Sequence, residues 1–219
     1  MTDEAKELLR RGSAEFGLSL DPARVGRFAS LAAELRKWSR KINLTALHTD
    51  EEIALKHFVD SLSLAKVVTG RGSLLDLGSG GGFPAIPLKI LFPQLTVLSV
   101  DAVEKKILFQ RHAARLLSLH DFTPLHARAE ELPASYAGHF DWVVSRAFSD
   151  LPTFVRLAYP LLAAQGSIVA MKGKGGREEA RLAEKSLDEL GVAVREILEF
   201  PLPISGDARC LVVMARNCA

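Results

Sequence analysis

A glycine-rich stretch in the middle of the chain has the residue types of a binding turn. It follows a short apolar run that contains Asp76, and it places glycine at position 78 and at positions 80–82. Glycine permits positive φ and leaves no Cβ between the backbone and a ligand. Pro84 and Pro87 come where a helix begins, and proline is tolerated there because first-turn amides lack an intrahelical partner. We therefore expect an open turn that is stiffened in advance for a bound molecule.

The spacing of these glycines separates two classes of cofactor. A dinucleotide fingerprint needs G-x-G-x-x-G after the strand, but Phe83 stands where its last glycine would be. The pattern that is present, D-x-G-x-G-x-G from Asp76 to Gly82, is typical of S-adenosylmethionine sites. Many strand–helix joints carry glycine for packing alone, so the interpretation depends on the strands that follow.

Polar residues follow the other predicted strands. Asp101 ends the second strand, where a carboxylate accepts both ribose hydroxyls; alternatively, it only caps the next helix. The later strands end at Ala129 and Glu130, at Arg146 and at Lys172. Taken one at a time, each of these residues is better explained as a solvated residue of a loop. Ligands of open α/β sheets, however, bind outside the carboxyl ends of the strands, where all of these residues lie. Together they predict one pocket, with Glu130 near an adenine amino group.

Short apolar runs alternate with helical segments from residue 73 onward, which predicts a mostly parallel sheet covered on both faces. We expect strands near 73–78, 96–101, 122–127, 140–145, 167–171, 193–200 and 209–215, and helices near 85–92, 104–118, 150–164 and 177–190. Only a loop joins the last two strands, so the last one should run antiparallel. The predicted fold class is α/β: a Rossmann-like class I S-adenosylmethionine-dependent methyltransferase with a seven-stranded sheet and an N-terminal helical extension.

The first part of the chain has helical rather than alternating patterns. Asp21 and Pro22 have the types of an N-cap and a first helical residue, and apolar residues then recur three or four apart. Thr49–Glu52 fits a capping box that opens a second long helix. We predict a helical segment over 1–68, which faces RNA or covers the pocket, and a methyltransferase domain over 69–219.

A basic run lies at the end of the first of these helices. The candidate RNA-binding residues are Arg36, Lys37, Arg40, Lys41, Asn43 and His57. They would contact phosphates if the helical segment folds over the pocket; alternatively, the basic ones complement the dipole at the helix C-terminus. Trp38 continues the apolar stripe and is assigned to the core. His57 and Asp60 lie three apart, and they either pair or line the pocket.

The composition is that of an ordinary globular protein. The 219 residues are 48% hydrophobic and 25% charged, and no apolar run approaches the roughly 20 residues of a membrane span. The charged start lacks the apolar core of a secretory signal, so we expect a cytoplasmic protein. Cys210 and Cys218 have no metal or redox spacing and the histidines are scattered, so we expect no metal site. A net charge of +2 excludes coating of nucleic acid by charge alone but permits a local basic patch.

Seven motifs occur in the order of a known family. They are KWSRKINLTAL, KHFVDSL, LLDLGSGGGFPAIPLKI, VDAVEKKILF, ARAEEL, VVSRAF and MKGKG. In order and spacing they resemble the bacterial 16S rRNA guanine-N7 methyltransferase G family, also called glucose-inhibited division protein B, from about Trp38 to Lys174. Ala85 departs from the family, which usually has glycine there, and its methyl group should slightly narrow the pocket mouth.

The resemblance implies methylation of N7 on one specific guanine of 16S rRNA, in the small ribosomal subunit or its assembly intermediate, with S-adenosylmethionine as the methyl donor. It also implies a set of cofactor contacts. By position these are Gly78, Gly80, Phe83, Asp101, Ala102, Ala129, Glu130 and Arg146. Arg146 alternatively serves the RNA. We expect a monomer, since no coiled-coil or edge pattern calls for a dimer.

The residue types agree with N7 chemistry. Guanine N7 carries a lone pair and no proton, so its methylation needs no general base. The chain has SRAF where methyltransferases of exocyclic amines carry an N/D-P-P-Y/F motif. Methyltransferases that act on pyrimidine C5 need a thiolate nucleophile, and neither cysteine of this chain lies in a predicted site loop. Alignment should dominate the rate, with Arg146 and Lys172 positioning guanine O6 or flanking phosphates. The alternatives are a small-molecule methyltransferase with the helices as a lid, a nucleotide-dependent oxidoreductase and a non-catalytic RNA-binding module.

Overall fold

The centre of the molecule is one sheet, seen in a computed structural model that describes residues 1–132, 134–146 and 148–217. Its strands are β1 (Ser73–Leu77), β2 (Thr96–Asp101), β3 (Phe122–His126), β4 (Phe140–Arg146), β5 (Leu162–Lys172), β6 (Val192–Pro201) and β7 (Ala208–Arg216). Their order across the sheet is β3-β2-β1-β4-β5-β7-β6. Neighbours among β1 to β5 are parallel, and β7 runs antiparallel to both β5 and β6. The predicted α/β class and the antiparallel last strand are confirmed; Cys218 lies outside the described residues.

Helices cover both faces of this sheet. They are α1 (Asp3–Ala14), α2 (Pro22–Ile42), α3 (Asp50–Ile53), α4 (Asp60–Leu62), α5 (Ala85–Leu91), α6 (Glu104–Leu116), α7 (Leu151–Ala158) and α8 (Gly176–Glu189). Side chains of the strands alternate between two apolar cores: Leu74 and Val144 pack with α1 to α6, whereas Leu75 and Val143 pack with α7 and α8. Because both faces are buried, the strands read as nearly continuous apolar runs. Within the described ranges, no helix is both long and apolar enough to span a membrane.

Strand β5 begins earlier than the sequence predicts. Leu162 pairs with Phe140, and the register then shifts before Trp142 pairs with Ser167. The preceding helix was expected to reach residue 164, but α7 ends at Ala158 and a 3-10 turn, Tyr159–Leu161, leads into the strand. The prediction of a helix over 150–164 is therefore wrong at its C-terminal end. Proline at position 160 is the physical reason, because its ring and missing N–H do not continue an α-helix.

Local signals fix the starts of α2 and α3 as predicted, and the structure adds the C-cap of α2. The Asp21 side chain caps α2, and Asn43 ends the same helix in the left-handed conformation. Thr49 and Glu52 form the capping box at the start of α3. Trp38 is partly buried against the same core that α1 to α6 share with the sheet, which confirms its assignment to packing. The division of the chain near residue 68 stays a prediction.

A π-helical turn interrupts the second helical run. α3 continues into the π-helical turn Ala54–Val59, then into α4, and ends in a 3-10 turn, Ser63–Lys66. Ile53 and Phe58 lie five positions apart and are both fully buried. A π-helical turn has i→i+5 hydrogen bonds, so residues five apart lie on the same face of the helix. The turn carries His57 and leads directly to Asp60. Such turns occur often at functional sites.

Candidate active site

The glycine turn lies between β1 and α5 and is tied to β2. Gly78 N and Ser79 N both donate to Val100 O, at 2.9 and 3.0 Å. Gly78, Gly80 and Gly82 have φ values of 73°, 58° and 85°, which explains why glycine stands at these positions. Among the described residues, no atom lies within 4 Å of a Cβ added at Gly80, whereas a Cβ added at Gly82 would lie 2.7 Å from a side-chain atom of α5. The turn is therefore closed towards α5 and open at Gly80.

Asp101 reaches from the end of β2 to this turn. Its Oδ2 accepts a hydrogen bond from Gly80 N at 2.8 Å, and its Oδ1 accepts one from Val103 N at 2.8 Å. Asp101 is 7% exposed. The N-cap of α6 is Val103, and no side chain caps it, so Asp101 does not serve as the N-cap of α6. The carboxylate lies against the open part of the turn, where a ribose-binding residue of this fold is expected.

Asp76 lies in β1, fully buried behind the turn. Its Oδ2 accepts from Ala85 N at 3.1 Å, while Oδ1 has no hydrogen-bond partner among the described residues. Burial raises the pKa of Asp76 to about 7. A buried acceptor without a partner is unfavourable, and a ligand that brings an ammonium group would satisfy it. These residues therefore fit a cationic cofactor such as S-adenosylmethionine.

The raised pKa of Asp76 predicts a pH-dependent stability difference from Asp76→Asn. The folded carboxyl keeps its proton up to about pH 7, whereas the unfolded one ionises at its ordinary pKa of 3.8. Its stabilising contribution is thus fully present below pH 3.8 and is lost as pH rises through about 7. From about pH 4 to about pH 8, the free energy of unfolding of the wild type minus that of Asp76→Asn should fall by about 4 kcal/mol. Urea titrations measure this difference, and a constant value would show that Asp76 ionises normally.

A buried amide joins the turn to α6. Gln110 Nε2 donates to Ser79 Oγ at 2.8 Å and to Gly80 O at 2.9 Å, and its Oε1 accepts from Ser99 Oγ at 2.7 Å. These bonds fix which end of the amide is the donor. Gln110 was not predicted as a site residue, because a glutamine inside a helical pattern carries no signal of its own. Its complete burial becomes evident only in the fold.

Phe83 connects the turn to the N-terminal helices. Its ring stacks on that of His57, with centroids 4.3 Å apart and planes at 7°. Arg146 Cζ lies 5.4 Å from the centroid of the Phe83 ring. Phe83 is buried in the core shared with the N-terminal helices. The ring does not fill the space beside Gly80, because neither it nor any other described side chain comes within 4 Å of a Cβ added there.

His57 is held as a neutral imidazole. Arg146 Nη2 donates to His57 Nδ1 at 3.0 Å, and because arginine has no acceptor, the ring proton lies on Nε2. Nε2 then donates to Thr45 Oγ1 at 2.7 Å. Burial, with a smaller effect of the Arg146 charge, lowers the pKa of His57 to about 3. Contact of His57 with RNA would require one of these bonds to open, and it stays a prediction.

Arg146, at the end of β4, is bound by the second helical run. Its Nη1 donates to Lys56 O at 3.1 Å and lies 3.5 Å from Asp60 Oδ2. Asp60 Oδ1 accepts from Arg209 Nε at 2.6 Å. His57 and Asp60, whose relation the sequence left open, thus both bind Arg146. Arg209 was not predicted, because it stands 149 positions from Asp60 and no local pattern reveals the contact.

The other predicted cofactor residues lie beside Asp101. Ala102 follows it directly, and Asp101 O accepts from Ala127 N at 3.3 Å. The 3-10 turn Ala129–Glu131 comes next after β3, at the same edge of the sheet. Glu130 is exposed in this turn. The structure brings these residues to one edge, and their contacts with the cofactor stay predictions.

Lys172 lies at the end of β5 but is bound within the fold. Its Nζ donates to Ser149 O and to Glu179 Oε1, both at 2.8 Å. The amine therefore ties the loop after β4 to the first turn of α8. The predicted contact of Lys172 with guanine or phosphate would need one of these bonds to exchange, and it stays a prediction.

The predicted RNA-binding residues at the end of α2 fall into two groups. Arg36 Nε lies 3.3 Å from Asp50 Oδ1, and Lys37 Nζ lies 3.3 Å from Glu34 Oε1. These two cations are thus paired within the fold. The other three, Arg40, Lys41 and Asn43, are exposed, as is Lys37. Arg40 and Lys41 have no ion pair with another described residue, so this second group is the better placed to meet a phosphate.

The sheet order, with antiparallel β7 between β5 and β6, is that of the class I S-adenosylmethionine-dependent methyltransferase fold, and Asp76 and Asp101 bind its glycine turn and the helix after it. A crystal structure of a SAM dependent methyltransferase from Aquifex aeolicus has the same fold. Its TM-score is 0.58 at 17% identity, and the match covers 84% of this chain and 97% of that one.

Sequence comparison defines the family more narrowly. The family model GidB, described as rRNA small subunit methyltransferase G, matches residues 25–203. The Ribosomal RNA small subunit methyltransferase G of Geobacter metallireducens is 65% identical over 217 residues, and that of Geotalea uraniireducens is 63% identical over 216 residues. Each match covers 99% of this chain and 99% of the relative. The chain belongs to the rRNA small subunit methyltransferase G family, which confirms the resemblance seen in its motifs.

Proposed function

We propose that this chain methylates N7 of one guanine in the 16S rRNA of the small ribosomal subunit, with S-adenosylmethionine as the methyl donor. The observation that carries the proposal is the Asp101–Gly80 contact across the ends of β2 and β1, in a chain of this family. Beside this contact no described atom lies within 4 Å of a Cβ added at Gly80, and behind the turn one oxygen of Asp76 has no hydrogen-bond partner among the described residues. S-adenosylmethionine supplies a methyl group on a positively charged sulfur, and the pocket residues hold and orient it.

The side chains around the turn suit a nucleophile that has no proton to lose. Both ring nitrogens of His57 are engaged in hydrogen bonds. Because its pKa is about 3, the imidazole does not take up a proton near neutral pH and cannot serve as a general base. Cys210 is buried in β7, and burial raises the pKa of its thiol. Guanine N7 needs neither a base nor a thiolate. The contribution of the chain is alignment, which supplies on the order of 7–11 kcal/mol of a barrier.

The helical segment over 1–68 is the proposed RNA-facing part, and the domain over 69–219 holds the cofactor. The exposed cations of the helical segment, Arg40 and Lys41, lie in the last turn of α2. The proposed substrate is the small subunit or its assembly intermediate, bound by a monomer. Phosphate contacts by Arg40 and Lys41 would make binding sensitive to salt.

Removal of these two charges should lower the salt dependence of RNA binding. Arg40→Ala/Lys41→Ala should reduce the slope of log affinity against log salt by about 1.4–1.8, the release expected from two phosphates. Arg181→Ala/Lys185→Ala removes the same charge from α8 on the opposite face and should keep the wild-type slope. Filter binding from low to moderate salt measures both. Equal slopes in the two double variants would remove Arg40 and Lys41 from the RNA interface.

Transfer of a labelled methyl group tests the reaction itself. Small subunits purified from cells that lack the modification are incubated with labelled S-adenosylmethionine, and the RNA is then cleaved by chemistry specific for N7-methylated guanine. We expect label in 16S rRNA and one new cleavage site. Label in a small metabolite would instead support a small-molecule methyltransferase, and label at an exocyclic amine would contradict the N7 assignment.

A further inference from the structure

A buried acidic side chain lies between two arginines at the edge of the sheet. We propose that Arg146 and Arg209, held side by side by Asp60, bind a phosphate group of the RNA next to the target guanine. This phosphate site rests on the proposed function and deepens it, because it assigns a role to Arg209, which lies outside the sequence motifs, and to Asp60, whose role the motifs left open.

Asp60 contacts both guanidinium groups with opposite oxygens. Its Oδ1 accepts from Arg209 Nε at 2.6 Å, and its Oδ2 lies 3.5 Å from Arg146 Nη1. The Asp60 side chain is 7% exposed, while those of Arg146 and Arg209 are 21% and 24% exposed. Two cations that would repel each other are thus kept close by one carboxylate. The three groups together retain a positive charge at a surface that solvent reaches.

The other bonds of the two arginines orient them without using all of their donors. Arg209 Nη1 donates to Ala208 O at 3.0 Å. Arg146 donates to Lys56 O and to His57 Nδ1. A guanidinium has a rigid fork of several N–H donors, so both arginines keep donors that remain available. Such forks bind phosphate oxygens in pairs, with charge-assisted hydrogen bonds.

A cleft beside Arg209 provides room for a phosphate. It has a volume of about 350 Å³, and its lining includes Gly173, Lys174, Glu199, Ala208 and Arg209. Lys174 is exposed and adds a third cation. Glu199 is bound by Arg177 at 2.5 Å, and Asp207 Oδ2 stands 3.9 Å from Arg209 Nη2. The acidic groups near the cleft are therefore matched by cations, and the surplus of charge is positive.

The position of the two arginines links the phosphate site to methyl transfer. Arg146 ends β4, and Arg209 begins β7 next to Cys210, which pairs with Lys172 at the end of β5. Both arginines thus stand at the edge where the glycine turn lies. Arg146 also approaches the ring of Phe83 in that turn, at 5.4 Å from Cζ to the centroid. A phosphate bound there would lie beside the target base rather than at its reacting atom.

Arg209→Met is the first test, because the side chain is partly exposed and methionine keeps an apolar stem. With small subunits that lack the methyl group, KM should rise about 10-fold or more while kcat changes little, as for the loss of a charge-assisted binding contact. The slope of log affinity against log salt should fall by about 0.7–0.9, the release from one phosphate. Affinity for S-adenosylmethionine, measured by calorimetry, should stay at the wild-type value.

Arg181→Met on α8 is the matched control and should keep the wild-type KM and salt slope. Arg209→Lys keeps the charge but not the forked donors of the guanidinium. Its salt slope should equal that of the wild type, and its KM should lie between those of the wild type and Arg209→Met. An Arg209→Met protein with wild-type KM and slope would overturn the phosphate site. If the wild-type protein labels no ribosomal RNA at all, the proposed function fails instead, which separates the two outcomes.

Asp60 is assigned as a positioning residue, and its test is coupling with Arg209. Asp60→Asn keeps the shape of the side chain but weakens the hold on both arginines, so KM should rise by at least as much as in Arg209→Met. Adding Asp60→Asn to Arg209→Met should raise KM by less than the product of the two single effects. Fully multiplicative effects would contradict the positioning role. If Asp60→Asn does not fold, the Arg209→Met and Arg209→Lys comparison alone decides the phosphate site.

Discussion

Asp101→Ala is expected to weaken the binding of S-adenosylmethionine by about 100-fold or more. The carboxylate holds the N–H groups of Gly80 and Val103, both at 2.8 Å, and so orders the turn before a ligand arrives. Its removal loosens the turn and takes away the acceptor predicted for the ribose hydroxyls. Hydrogen bonds to charged groups are worth about 1.5–3 kcal/mol each, and the loss of two corresponds to about 100-fold or more in affinity. Isothermal titration calorimetry measures the change.

Two further variants separate the causes of this loss. Asp101→Asn keeps one acceptor oxygen without the charge, so its affinity should lie between those of the wild type and Asp101→Ala. Glu184→Ala removes an exposed carboxylate from α8 and should bind S-adenosylmethionine as the wild type does. Wild-type affinity in Asp101→Ala would remove the ribose-binding role, and the assignment of the cofactor pocket would lose its main support.

The sheet was predictable because its signals are local. Apolar runs bounded by glycine, proline and aspartate mark where strands begin and end, and successive residues of a strand, such as Leu74 and Leu75, then pack into opposite cores. The predicted strand ends also located the candidate site, since residues at the carboxyl ends of parallel strands meet at one edge of the sheet. That rule brought Asp101 to the turn after β1. It also placed Arg146 and Lys172 on neighbouring strands, although it did not reveal that Lys172 is bound by Glu179.

The contacts that join distant parts of the chain were not predictable from one sequence. Asp60 meets Arg209 only because the second helical run packs across the strand ends, and the two are separated by most of the chain. Gln110 and Ser79 meet for a similar reason. The five-residue spacing of Ile53 and Phe58 is compatible with a π-helical turn, but the same sequence pattern is also compatible with a regular α-helix that packs less closely. Tertiary packing, not local preference, decided these features.

Gly82→Ala is expected to destabilise the fold by about 2–5 kcal/mol. The φ of 85° lies in the left-handed region, where a Cβ costs roughly 1–2 kcal/mol. The added Cβ would also lie 2.7 Å from Ile86 Cγ1, and the Ile86 side chain is fully buried; such overpacking adds about 1–3 kcal/mol. Urea unfolding followed by circular dichroism gives the free energy of unfolding. A loss below about 1 kcal/mol would show that the turn and α5 can move apart, contrary to the close contact.

Two other glycines separate backbone strain from this clash and locate the ligand. Gly17 has a φ of 74° and Gly80 has a φ of 58°, and at neither position would an added Cβ come within 4 Å of an atom in the part of the chain that the structure describes. Gly17→Ala and Gly80→Ala should therefore lose only about 1–2 kcal/mol each. Their effects on the binding of S-adenosylmethionine should differ, because Gly80 belongs to the turn that Asp101 binds, whereas Gly17 follows α1 in the N-terminal segment. If Gly80→Ala binds S-adenosylmethionine as tightly as Gly17→Ala does, the open side of the turn is not the side that meets the cofactor.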